Sequence, residues 1–431
     1  MNLLKWMPLL GCAAVLSLSS CSDDESKGIS PSTNLTPDEH KVKLEQIGLD
    51  VLAKVNPEDH ADLLRAMDYF SEIADYGGLE VDRDETVMSM AKLVGYVKSM
   101  CRTNNLGMMP QFASPDNELY SLAQCYGIYT YDEAREMWRK SASDNSLEFH
   151  FEYLYEPAVI KITASGDETK VYLFEDRSEV EYGGDKIRYE VYVPEHAEAV
   201  MTWNGKTLCS LSADMDVDDV SRSATVSSTF EASGYVFKQT TKANKTDASV
   251  SLTFDVKGDR VITAKANVKG DNMTDEGAID DVVNEDSNVQ DLFEDASGEI
   301  NILDEAVVKM SCSNIKSLVD LLDDIDNEYY EYPSYYELEY ADKMAAAYNK
   351  YMKGDLYYTD GDNSIAKLSM HSCFVEDEYF EDGGYYDYEA VITFASDSSA
   401  YSLESYFNDV DFNDLVNSAE DLGDRYESYL R

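Results

Sequence analysis

Apolar residues in this chain follow two periods, and the first part of it is helical. Val42, Leu44, Ile47, Leu49, Val51, Leu52 and Val55 recur every few positions, and Leu63, Leu64, Met67, Phe70 and Ile73 do so again. That spacing lines each set along one stripe of a helix. Thr36, Pro37 and Glu39 form the sequence of a capping box with proline at the first helical position. Asn56-Pro57 repeats the start signal, and Gly77-Gly78 closes the second helix. Val87, Met90, Leu93, Val94, Val97 and Met100 predict a third, over Asp84–Arg102. His40 and His60 fall in polar first turns, where the expectation is solvation.

Beyond a loop-like stretch at 103–120 the period shifts. Residues 131–140, which carry Trp138, read as a short helix. Leu147, Phe149, Phe151 and Tyr153 then alternate with charged residues, the two-residue period of a half-buried strand. Strands are predicted over 158–164, 170–174, 187–193, 199–203, 206–212, 224–232, 235–242, 249–256 and 260–268. Asn204-Gly205 gives a two-residue hairpin signal and Lys257-Gly258-Asp259 a second turn. Residues 271–298 are acidic and poor in aromatics, and read as a loop with one short helical turn. A strand over 299–312, a helix over 314–325, a helix over 333–352 stopped by Gly354, strands over 365–376 and 388–396, and a terminal helix near 412–430 complete the chain. The expected fold class is α+β: N-terminal helices packed with a large antiparallel sheet, whose strand count would allow a half-barrel, plus C-terminal helices. The linear division is a helical region at 36–110 and a sheet domain with helical insertions at 111–431.

The first 35 residues belong to neither. Lys5 precedes a run, Trp6 to Leu18, that is apolar apart from Ser17 and too short to span a bilayer. Leu18-Ser19-Ser20-Cys21 follows, then Ser22-Asp23-Asp24-Glu25. This arrangement resembles bacterial lipoproteins, and the acidic tetrapeptide resembles the surface-export signal of Bacteroidota lipoproteins. The resemblance implies a signal peptide at 1–20, a fatty-acylated (palmitate-bearing) Cys21, and a lipid-anchored tether at 21–35. It also implies an outer-membrane, cell-surface location. Leu9-Leu10-Gly11-Cys12 is a competing site, but cleavage there leaves an apolar core of only Trp6 to Leu10. The order Gly-x-Tyr, Trp, then Leu-x-Phe-x-Phe over 126–153 is similar to a pattern in uncharacterised Bacteroidota lipoproteins, and implies no activity.

Charge narrows the partners. The chain has 85 acids against 35 bases, a net charge of −50. No cationic surface is available to displace counterions from phosphates, so a nucleic-acid partner is not expected, nor is electrostatic binding to anionic lipid. The membrane partner is reached through the lipid anchor alone. Cys101, Cys125, Cys209, Cys312 and Cys373 contain no C-x-x-C pair and read as buried, mostly free thiols.

Candidate chemistry is sparse. The motifs H-E-x-x-H, G-x-S-x-G and G-x-x-x-x-G-K-[ST] are missing. Asp409, Asp411 and Asn413 stand at positions 1, 3 and 5 of an EF-hand-like loop with Glu420 at position 12, making calcium the one cofactor with a sequence hint. Asp414 occupies the place of the turn glycine. The same residues also read as a helix cap and solvated acids. Glu148, His150 and Glu152 share one strand face, as a metal or acid–base patch or as a plain polar face. Tyrosines crowd the C-terminal third from Tyr329 to Tyr388; with the acids among them they suit sugar stacking, and equally a half-buried sheet layer. The expectation is a non-catalytic surface protein binding a glycan, protein or cation. A carboxylate-dependent hydrolase, such as a glycosidase, and an envelope factor holding an apolar ligand in its sheet are the alternatives.

Overall fold

A computed structural model describes residues 35–76, 78–80, 122–176, 187–218, 221–284, 291–330, 337–359, 361, 363–377, 379, 383–408 and 410–429. The signal peptide, Cys21, the tether up to residue 34, the expected helix at 84–102, Cys101 and Asp409 lie outside them. The fold is α+β, with helices at both ends and a large, mostly antiparallel strand array between. The chain divides into two compact units. One takes the chain up to Val55, Arg260–Asp271 and Val289–Asp424; the other takes Asn56–Asp259, Asn272–Asn288 and Arg425–Arg431.

The unit that starts at Asn56 is built on a strand meander. Its helix α2 (Ala61–Tyr76) follows a 3-10 turn, Pro57–His60, that Asn56 caps. Next come β1 (Gly78–Glu80), β2 (Gly127–Asp132), β3 (Met137–Ser141), β4 (Leu147–Tyr153), β5 (Glu156–Asp176) and β6 (Ile187–Trp203). They are followed by β7 (Lys206–Asp218), β8 (Ser223–Ala232), β9 (Tyr235–Ala243) and β10 (Asp247–Val256). From β4 to β10 every strand pairs antiparallel with its neighbour in sequence. Among the described residues, the parallel pairs of this unit are β1–β3 and β2–β4. The strand array is not closed into a barrel.

The hairpin turns carry the geometry that right-handed strand twist demands. Asn204 and Gly205 have φ of 47° and 75°, and Ser233 and Gly234 have 51° and 84°. Two positive φ values in a row match the twist of the flanking strands. The strands at 158–164 and 170–174 are one continuous β5, and those at 187–193 and 199–203 are one β6, with bulges in their ladder after Ser165 and Tyr172.

The expected helix at 131–140 is a correction. Residues 127–141 form the β2–β3 hairpin, with Tyr131 opposite Trp138. The stretch has the charged composition of a helix, but Trp138 is fully buried beneath α2 and donates Nε1–H to the Ile73 carbonyl at 2.9 Å. Arg139 and Asp132 pair across the hairpin at 3.1 Å. The core here is Ala66, Phe70, Ile73 and Ala74 of α2 packed on Trp138, Leu147, Phe149 and Phe151. Burying a side chain of this size is worth about 1.5–3 kcal/mol. Helix α3 (Glu276–Val283) belongs to this unit too, pinned by the Tyr172 hydroxyl, which donates to the buried Asp280 at 2.5 Å.

The other unit begins with α1 (Pro37–Lys54). Its capping box forms as expected: Glu39 N–H donates to Thr36 Oγ1 at 3.3 Å, and Thr36 N–H donates to Glu39 Oε2 at 2.8 Å. Its strands are β11 (Asp259–Gly270), β12 (Phe293–Ile302), β13 (Ala306–Cys312), β14 (Met352–Tyr358), β15 (Ala366–Glu376), β16 (Gly384–Phe394) and β17 (Ala400–Ser402). They pair antiparallel in that order. Its helices are α4 (Ile315–Glu328), α5 (Leu338–Tyr351), α6 (Leu403–Tyr406) and α7 (Asn413–Glu427), the last ending in the other unit. The single strand expected over 299–312 is two, turned at Leu303-Asp304, where φ is 55° at both. Gly354 does not stop α5 but lies inside β14, where a Cβ would sit 3.0 Å from Leu368 Cβ. No helix among the described residues is long and apolar enough to cross a membrane.

Candidate functional site

Four sets of side chains could carry chemistry. The first is the face of β4. Glu148 lies opposite Lys161 on β5, and His150 follows two residues along. Glu148 Oε2 meets His150 Nε2 at 2.7 Å, while its Oε1 accepts from Lys161 Nζ at 2.9 Å and from Ser146 Oγ at 2.9 Å. Burial works against ionising this carboxyl, but the hydrogen bonds from His150, Lys161 and Ser146 outweigh it and hold it at about 2. Glu152 is exposed and stays out of the cluster. The result is a saturated carboxylate, ionised at neutral pH, with no proton to give. The alternation of β4 put Glu148 and His150 together; Lys161 was not foreseen, because cross-strand register decides it, and neither was Ser146, two residues before Glu148 along the chain.

The second set gathers around the 3-10 turn. Tyr235 of β9 accepts the Asn56 N–H at 2.8 Å and donates to Asp59 Oδ2 at 3.0 Å. Lys257 Nζ reaches the same Asp59 oxygen at 2.7 Å and, by that bond, depresses the carboxyl below its ordinary value. His60 packs edge-on to Tyr235, ring centroids 4.2 Å apart, and its Nδ1 meets the Tyr426 hydroxyl at 3.2 Å. Burial lowers the His60 pKa and raises that of Tyr426 to about 12. Arg425 donates to Asn56 Oδ1 at 2.9 Å. The donors and acceptors complete one another, so the network fastens the end of α7 to the turn.

No protein-family model, no curated protein and no solved structure matches this chain.

The third set is the EF-hand-like stretch. Asp411 is bound by Lys41 Nζ at 2.5 Å and by Asn408 Nδ2 at 2.9 Å. Asn413 opens α7, and Glu420 lies two turns along the same helix. Seven helical residues separate them by about 10 Å along the axis. A calcium loop needs its first nine positions to curl around the ion, whereas here the helix already runs from the fifth. The structure does not bring Asp411, Asn413 and Glu420 together. Glu45 Oε1 accepts from Asp414 N–H at 3.1 Å and Leu415 N–H at 3.3 Å, covering the α7 start.

The fourth is the tyrosine-rich third, which splits. Tyr329, Tyr340 and Tyr358 are core residues. Tyr386 and Tyr388 are half-buried along β16. Tyr332, Tyr335 and Tyr336 lie outside the described residues.

The histidine expectations also need correcting. His40 is not solvated: it is wholly buried, stacked on Phe394 at 5.2 Å, with Nδ1 3.0 Å from the Tyr358 hydroxyl. Its Nε2 has no partner among the described residues. Burial, helped by Lys43, pushes its pKa down and keeps the ring neutral, against Glu39 and Asp397. His60 is half-buried for the reasons above. Cys125, Cys209, Cys312 and Cys373 are thiols rather than disulfide-bonded, and burial raises the Cys125 thiol to about 11.

Proposed function

We propose that this protein is a lipid-anchored, outer-membrane surface protein that binds a macromolecular partner outside the cell and does no covalent chemistry on it. One observation carries the reading: an apolar run that ends in Leu18-Ser19-Ser20-Cys21 and passes directly into Ser22-Asp23-Asp24-Glu25. At three carboxylates the geometry favours a binding role over acid catalysis. Glu148, Asp59 and Asp411 each accept from neighbouring lysine and hydroxyl or amide donors, and each is held below its ordinary pKa. A general acid needs the opposite, a carboxyl raised towards neutrality. The strongly negative charge keeps such a body soluble and away from anionic surfaces.

The test is metabolic labelling with a palmitate analogue in the native host, with protease shaving of intact cells. Label should be present on the wild type, retained in Cys12→Ala and lost in Cys21→Ala. Label that survives Cys21→Ala but not Cys12→Ala would move the anchor, and none on the wild type would remove it.

A further inference from the structure

One strand of the unit that holds α1 changes partner half-way along. β14 pairs with β15 only from Ala366 to Leu368. At the next outward-facing residue, Met370, the side chain of Asn349 on α5 takes over: Nδ2 donates to the Met370 carbonyl at 2.7 Å, and Met370 N–H donates to Oδ1 at 2.7 Å. An amide side chain here imitates a passing strand. The parity of the remaining residues follows from antiparallel geometry. Asp377 N–H donates to the Gly383 carbonyl, towards β16, so the odd-numbered residues face β16. The main-chain groups of Ser372, Phe374 and Glu376 therefore point away from it, along the edge that β14 has left. They have no main-chain partner on that side among the described residues.

The side chains beside this edge are suited to a visitor. Phe374 is 48% exposed although it sits in a ladder, edge-on to Tyr386 with centroids 5.2 Å apart. Its ring lies across Gly384, where a Cβ would stand 2.7 Å from Phe374 Cζ. Glu376 shares the face of Phe374, where Ser372 Oγ also donates to Asp342 Oδ1 of α5 at 2.5 Å; the opposite face carries Asp377 and, on β16, Asp387 and Glu389, with His371 the one basic side chain on this half of the strand.

We infer that the edge of β15 from His371 to Glu376 captures an extended, cationic segment of a partner protein as an added strand. Main-chain bonds to Ser372, Phe374 and Glu376 hold the segment, Phe374 packs against a side chain on its own face, and the carboxylates on the two faces select lysine or arginine at the others. A second copy of this chain is disfavoured as occupant, because its net charge is −50 as well. The inference rests on the binding role proposed above and gives that role a site.

The experiment uses full-length protein and a fluorescent peptide of alternating lysine and valine, read by anisotropy at physiological salt. Two controls accompany it: a fully N-methylated peptide of equal charge, which cannot bond main chain to main chain, and the variant Phe374→Pro. Proline at an outward-facing edge position removes a donor without breaking an internal bond. Saturable binding that weakens at least about tenfold with either control supports the inference. No binding of the lysine–valine peptide overturns it. Equal binding of the N-methylated peptide also overturns it, as charge attraction alone, and this arm stands even if Phe374→Pro fails to fold. Concentration-dependent dimerisation of the wild type without peptide binding assigns the edge to a second copy and overturns it too. Acylation of Cys21, scored on the same preparation, separates failure of the anchor from failure of the edge.

Discussion

Replacing Glu148 with glutamine should destabilise the meander unit at neutral pH and matter much less in acid. The carboxyl is held at about 2 against an ordinary 4.5, although burial alone would raise it. A group whose folded pKa is depressed lends stability above its unfolded pKa and loses it as pH falls towards the folded value. At about 1.4 kcal/mol per unit, the shift sets a ceiling near 3 kcal/mol. Two of the three donors, His150 and Lys161, are 37% and 50% exposed, and solvent screening brings the expected loss to about 1–2 kcal/mol. Trp138 lies in the core of this unit and Trp203 packs, partly buried, against it. Urea unfolding followed by tryptophan fluorescence therefore reports it directly. The difference between wild type and Glu148→Gln should be largest at pH 7 and shrink by at least half at pH 3. A loss below about 0.3 kcal/mol at pH 7, or one that stays the same at both pH values, would refute the reasoning.

Two further outcomes follow from the same structure. His40 is neutral and buried, with a depressed pKa, so the unfolded chain binds the proton more readily and stability should fall as pH drops below about 6.5. His40→Phe should flatten that part of the pH–stability curve of the α1 unit; a slope unchanged between pH 7 and pH 5 in hydrogen exchange of α1 would count against it. Trp138→Phe should leave the Ile73 carbonyl unpaired and cost about 1–3 kcal/mol in thermal or urea unfolding, with a larger cost for Trp138→Ala; no measurable loss would show that the indole bond contributes nothing.

Much of the secondary structure was legible because its signals are local. Thr36 and Glu39 close their capping box across three residues, Asn204-Gly205 sets its own hairpin, and the alternation from Leu147 to Tyr153 shows as a strand without help. What stayed hidden depends on residues far away. The stretch around Trp138 has helical composition and becomes a strand because the indole is buried under Ile73 and Phe70. His40 reads as a polar first-turn residue until Tyr358, 318 positions away, and Phe394 close over it. Asp409, Asp411, Asn413 and Glu420 have calcium-loop spacing in sequence, but the early start of α7 draws Asn413 and Glu420 apart. Spacing carries no knowledge of where a helix begins. The open edge of β15 had no signal at all, since it arises from where β14 ends and Asn349 reaches.

The sequence-order pairing from β4 to β10 bears on how the molecule is assembled. Each ladder there closes only a short loop, so little chain entropy is lost before the first rungs form, and growth can proceed strand by strand along the polypeptide. The parallel pairs β1–β3 and β2–β4 enjoy no such shortcut. Kinetically, the meander should zip early and the helical cover over Trp138 should settle late, which places the rate-limiting barrier at the amino-terminal edge of the sheet rather than in its long central strands.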